Sequence, residues 1–119
     1  MKLEYVNVSV ADFARSLDFY QNTLGLTLRH ADEQFGYAAF DTGPASLAIV
    51  RDDDSSRVGR HTGIGLRVAE LDAEYARLRA AGVEFPMKPS KQPWGGYMAL
   101  LEDPDGNVFY LDEIRSAMT

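Results

Sequence analysis

The 119-residue sequence contains no cysteine, which removes disulfides, thiolate metal sites and cysteine nucleophiles together. Histidine is scarce as well, and imidazole chemistry is confined to His30 and His61. No apolar run approaches the roughly 20 residues of a membrane span. Met1-Lys2-Leu3-Glu4 lacks the basic segment and apolar run of a secretory signal and leads straight into a strand pattern, which predicts a cytoplasmic protein without a membrane anchor. Positive charge is the scarcer sign, with 12 Lys and Arg against 18 Asp and Glu. A net charge of −6 offers no basic face for a phosphate backbone, so nucleic acid is not an expected partner.

What the sequence does contain is a repeat. Val10-Ala11-Asp12-Phe13 returns as Val68-Ala69-Glu70-Leu71, and Gly36-Tyr37-Ala38-Ala39 returns as Gly96-Tyr97-Met98-Ala99. Two copies of a motif too small to bury a core alone imply one domain, residues 1–119, built from paired modules around a concavity.

In the first copy Val6, Val8 and Val10 alternate with Tyr5, Asn7 and Ser9, the pattern of a strand with one packed face. Asp12 is placed to cap a helix that carries Phe13, Leu17, Tyr20 and Leu24 and stops at Gly25. Residues 26–31, 35–41 and 45–51 read as three more strands, making the module βαβββ. Module one is therefore 1–52. Asp52-Asp53-Asp54-Ser55-Ser56 opens a polar, self-repelling stretch that reads as a solvated linker over 53–60.

Module two, 61–119, repeats the plan. Thr62, Ile64, Leu66 and Val68 alternate with His61, Gly63, Gly65 and Arg67; a helix is expected over 71–81, and strands over 83–87, 96–102 and 107–113. Asp103-Pro104-Asp105-Gly106 has the composition of a hairpin turn. Lys88 to Gly96 reads as a proline-rich polar loop, in which Trp94 is placed to cover a ligand or a neighbouring subunit.

Val10-Ala11-Asp12-Phe13-Ala14-Arg15-Ser16-Leu17-Asp18-Phe19-Tyr20 with Leu24-Gly25-Leu26, and Asp103-Pro104-Asp105-Gly106-Asn107, together with the repeat, resemble the vicinal oxygen chelate superfamily of glyoxalases, extradiol dioxygenases and bleomycin-resistance proteins. The resemblance implies an α+β fold in which two βαβββ modules form a curved mixed sheet with helices on its convex side. In metalloenzymes of that superfamily four strand positions supply His, Glu or Gln to a divalent ion. Motif by motif these positions fall on Tyr5, Ala48, Gly63 and Tyr110. Alanine and glycine have no donor atom, and neutral tyrosine is a weak one, so the resemblance implies that the metal site is gone and that no cofactor is needed. A shifted set through His61 and Asp112 would stand about 7 Å from the motif positions.

The stretch from Trp94-Gly95-Gly96-Tyr97 into the Asp-Pro-Asp-Gly turn resembles bleomycin-resistance proteins in particular. That resemblance implies a homodimer that sequesters an aromatic or cationic antibiotic-like molecule without metal. Tyr5, Asn7, His61, Trp94, Tyr110 and Asp112 are the expected ligand-binding residues, with Asp112 as counter-charge. Tyr37 or Phe35, and Tyr97 or Met98, are further candidates for the lining, and Ala48, Gly63 and Gly65 are expected to leave room. Two alternatives stay open: a glyoxalase-like or dioxygenase-like metalloenzyme with a rearranged ligand set, and a metal-free lyase or isomerase using Asp112 with His61.

Overall fold

The computed structural model describes residues 1–113. Two βαβββ repeats are present, each with a four-stranded mixed sheet and one helix, and the chain has the expected α+β class. It divides into two compact units, Met1–Arg60 with Pro104–Asn107, and His61–Asp103 with the chain from Val108.

In the first unit β1 (Tyr5–Val10), α1 (Phe13–Asp18), β2 (Thr27–Asp32), β3 (Tyr37–Asp41) and β4 (Ser46–Arg51) give the sheet order β1-β4-β3-β2. β1 runs parallel to β4, and the other pairs are antiparallel. Val8, Val10, Phe40, Leu47 and Ile49 form the helix side and are buried. The Asp12 carboxylate accepts from the Arg15 amide and starts α1 as expected. Beyond Asp18 the helix differs from a plain α-helix: Phe19–Thr23 widens into a π-turn. Two consecutive rings, Phe19 and Tyr20, are both buried there and meet edge to face at 5.2 Å.

Residues 53–60 are largely exposed, and they are hydrogen-bonded into place. Arg57 supplies the missing positive charge: its Nε donates to Asp52 Oδ2 at 2.8 Å and its Nη2 to Asp52 Oδ1 at 3.1 Å. Asp54 caps a short 3-10 turn over Ser55–Arg57. The Arg57 hydrogen bond, helped by the Asp54 amide and the Ser9 hydroxyl, holds the Asp52 carboxyl well below the usual carboxylate range.

A hairpin forms at 103–107, and its Pro104–Asn107 stretch belongs to the first unit. Buried Asn107 accepts from the Gly59 and Arg60 amides, each at 3.0 Å, and its Nδ2 donates to the Ser9 carbonyl at 3.0 Å. Asp105 accepts from the Ala11 amide at 3.0 Å and from Arg15 Nη2 at 2.9 Å. At Gly59 a Cβ would lie 2.7 Å from the Asp105 carbonyl oxygen, and φ is 77°, so no other residue fits the approach.

In the second unit β5 (His61–Val68), α2 (Leu71–Ala80), β6 (Met87–Lys91), β7 (Tyr97–Glu102) and β8 (Val108–Glu113) give the order β5-β8-β7-β6. Phe109, Leu111, Leu101 and Ala99 face the helix side, with Leu71 and Leu78 of α2 buried. Glu113 closes the helix start by accepting from the Leu71 amide at 2.9 Å.

β6 corrects the sequence reading. It lies over Met87–Lys91 rather than 83–87, running through residues expected to be loop. Pro89 misleads because proline ends a central strand, yet β6 is an edge strand with a register shift between Met87 and Ser90, where a missing amide is tolerated.

Candidate ligand-binding site

β5 carries an irregularity that positions the second unit's open face. His61 pairs with Val108 and Gly65 with Tyr110, so four steps along β5 oppose two along β8. Thr62 pins this bulge: its hydroxyl donates to the Val108 carbonyl at 2.7 Å and accepts from the Ile64 amide at 3.1 Å. Gly63 has φ of 72°, which turns its peptide out of regular strand geometry, and its amide donates to His61 Nδ1 at 3.1 Å. The extra residues come as a pair, so the in-out alternation survives unbroken.

The bulge draws His61 back along the sheet. Its ring lies 5.0 Å from that of Tyr110, with the two planes tilted by 58°. A regular β5 would have carried the imidazole a further two residues away, so the displacement expected from strand rise is shortened. Asp112 follows Tyr110 on the same face, opposite Arg67 on β5 and Met98 on β7. Gly65 makes space beside it, since a Cβ there would meet Asp112 Oδ2 at 3.3 Å. Burial pushes the Asp112 carboxyl up, partly offset by Arg67. Among the described residues it makes no hydrogen bond or ion pair.

A raised acid is a cost that folding carries once the group ionises. The unfolded chain loses the Asp112 proton near pH 4, before the folded chain does, so this residue's penalty grows as pH rises through that interval and is full above it. Asp112→Asn is expected to raise the melting temperature at pH 7, with the advantage vanishing below about pH 3. Paired thermal melts at the two pH values check it; a variant less stable than the parent at pH 7 contradicts it.

Other sequence candidates are distributed differently. Tyr5 and Asn7 occupy the open face of the first unit, pairing with Ser46 and Ala48 of β4. Tyr5 is exposed, whereas Ala48 is fully buried, so the room expected beside it is closed. Tyr37 is on this face, its ring 6.4 Å from His30. Phe35 and Trp94 are exposed residues of the β2–β3 and β6–β7 connections. Tyr97 leaves the lining set: it shares the helix side with Glu113, and its hydroxyl donates to Asp72 of α2. Met98 takes the open-face position. His61 and Asp112 share a face, but no hydrogen bond or ion pair joins them.

The residues at the four metal positions do not fit a divalent ion. Tyr5, Ala48, Gly63 and Tyr110 offer two side chains without a donor atom, and the Nδ1 lone pair of His61 is taken by Gly63. Among the described residues no group of three or more His, Cys, Asp or Glu side chains comes together to hold one.

This chain belongs to the glyoxalase/bleomycin resistance protein/dioxygenase superfamily, whose family model it matches over residues 2–111. It is similar to the uncharacterized protein YraH of Bacillus subtilis, 29% identical, with 91% of this chain and 94% of the other aligned. Among solved structures it is similar to TnmS3, an antibiotic binding protein from Streptomyces sp. CB03234, at 30% identity, a TM-score of 0.83 and 97% coverage of both chains. A lactoylglutathione lyase from Agrobacterium tumefaciens has the same fold at 20% identity and a TM-score of 0.78, with 94% of this chain and 92% of the other covered.

Proposed function

We propose that this chain is a metal-independent binding protein that sequesters a planar aromatic or amphipathic, cationic small molecule, acting as a cytoplasmic homodimer. The observation that carries the reading is the open face of β5 and β8, where the rings of His61 and Tyr110, in tilted contact, stand beside a half-buried carboxylate, Asp112, that has no hydrogen bond or ion pair among the described residues. Aromatic rings beside a carboxylate whose oxygens are not tied up in hydrogen bonds are the makeup of a site for an organic cation. The likeness to an antibiotic binding protein and the unsuitable donor set at the metal positions support it. Trp94 of the β6–β7 connection is a further proposed binding residue of this unit, and Tyr5 with Asn7 is a proposed binding surface of the first unit by itself. Among the described residues no helix is long and apolar enough to cross a membrane, which is compatible with the location proposed.

Elemental analysis of purified protein, combined with a thermal-shift titration, tests the reading. Metal content well below one ion per subunit is expected, and the planar cationic dye proflavine should raise the melting temperature and shift Trp94 fluorescence. A free dye concentration 100 times its Kd stabilises by about 2.7 kcal/mol. One tightly held divalent ion per subunit, or no response to the dye at millimolar concentration, would sink it.

A further inference from the structure

The His61–Gly63 contact fixes more than a ring position. The Gly63 amide donates to His61 Nδ1 at 3.1 Å, so in the neutral imidazole Nδ1 is the acceptor and the proton sits on Nε2. The donor is held in place from both sides: Thr62 pins the bulge through two hydrogen bonds, and the Tyr110 ring packs on the imidazole. Nε2 lies on the opposite edge of the ring from Gly63, on an exposed residue, and has no partner among the described residues.

With Nδ1 accepting from Gly63, the neutral ring presents Nε2–H to the open side. It is a donor waiting for an acceptor. The same face carries Glu102 across Val108 from His61, and Asp112 further along β8 opposite the cation Arg67. A carboxylate or phosphate on the ligand would meet net negative charge there.

We infer that His61 is the specificity-determining residue of this site, donating from Nε2 to an uncharged carbonyl-type oxygen at the edge of an aromatic ligand stacked on Tyr110. The inference rests on the binding reading and adds the ligand's functional group to it.

Two rigid, uncharged compounds that differ in that group make the test, 9-fluorenone with its carbonyl and fluorene without. Affinities are read from Trp94 fluorescence and thermal shift on the intact protein, as the fluorenone-to-fluorene ratio relative to that of His61→Phe. The phenyl ring keeps the ring contact with Tyr110 and removes the donor. The wild-type ratio is expected to exceed the variant's about fivefold, within the range of one net hydrogen bond. His61→Gln, which returns an amide donor, is expected to recover part of the difference. In the free protein, imidazole ¹⁵N chemical shifts should report the Nε2–H tautomer.

Equal ratios in the wild type and His61→Phe, or an Nδ1–H tautomer, overturn the inference while leaving the binding reading in place. Failure of both compounds and of proflavine to bind overturns the binding reading and this inference together. If His61→Phe does not fold, the tautomer measurement and the His61→Gln ratio decide: an Nδ1–H proton, or a ratio of about one in wild type and His61→Gln alike, rejects the inference.

Discussion

Asn107→Ala is expected to lower the unfolding free energy by about 3 kcal/mol and the melting temperature by about 10 °C. The side chain is almost fully buried and joins three points of the first unit, the amides of Gly59 and Arg60 and the carbonyl of Ser9. Alanine leaves all three without their partner. A lost partner costs roughly 1–3 kcal/mol per buried group, and the exposure of residues 59 and 60 keeps the total toward the low end. Asn107→Asp separates the contributions. It keeps an acceptor for the two amides but sets an oxygen against the Ser9 carbonyl, so an intermediate loss is expected. Urea unfolding followed by circular dichroism checks both, and a midpoint unchanged in Asn107→Ala would contradict the argument.

Tyr110→Ala is expected to weaken binding of proflavine or 9-fluorenone by about 30-fold, roughly 2 kcal/mol, while the fold persists. The flanking Phe109 and Leu111 are buried on the helix side, whereas Tyr110 is half-buried on the other face and touches the His61 ring at a tilt. Its removal takes away the ligand's stacking partner and frees the imidazole together. Tyr110→Phe keeps the ring and is expected to bind within about threefold of the wild type. Titration by Trp94 fluorescence, with circular dichroism to verify folding, distinguishes these outcomes; equal affinity in Tyr110→Ala would remove Tyr110 from the site.

The fold was legible in the sequence wherever local chemistry decides structure. Asp12 caps α1, Gly25 follows the π-turn that continues it, and the alternation from His61 to Val68 reappears as alternating exposure along β5. Three features were not legible, each for a physical reason. Pro89 hides β6 because the proline rule depends on whether a strand is central or at an edge, which only the assembled sheet decides. The β5 bulge is hidden because inserting two residues preserves parity; the Gly63 and Gly65 pair was its one local trace. The role of Asn107 depends on Ser9, almost a full chain length away. In the candidate site, His61, Tyr110 and Asp112 do share a face, as strand parity implied. The choice between Tyr97 and Met98 stays open in the sequence because parity says which residues go together, and only the docking of α2 decides which face is covered.

The hairpin at 103–107 also sets an order on events during synthesis. Residues 1–60 leave the ribosome first, yet their unit includes Pro104–Asn107 and draws three hydrogen bonds from Asn107. At 5–20 residues per second, the stretch from residue 60 to residue 107 takes roughly 2–10 s to be made. Until then the amides of Gly59 and Arg60 have no Asn107 to bond to, and the first half of the duplication is an unfinished nascent chain. A gene cut between the repeats would therefore yield an N-terminal fragment short of its own closing segment.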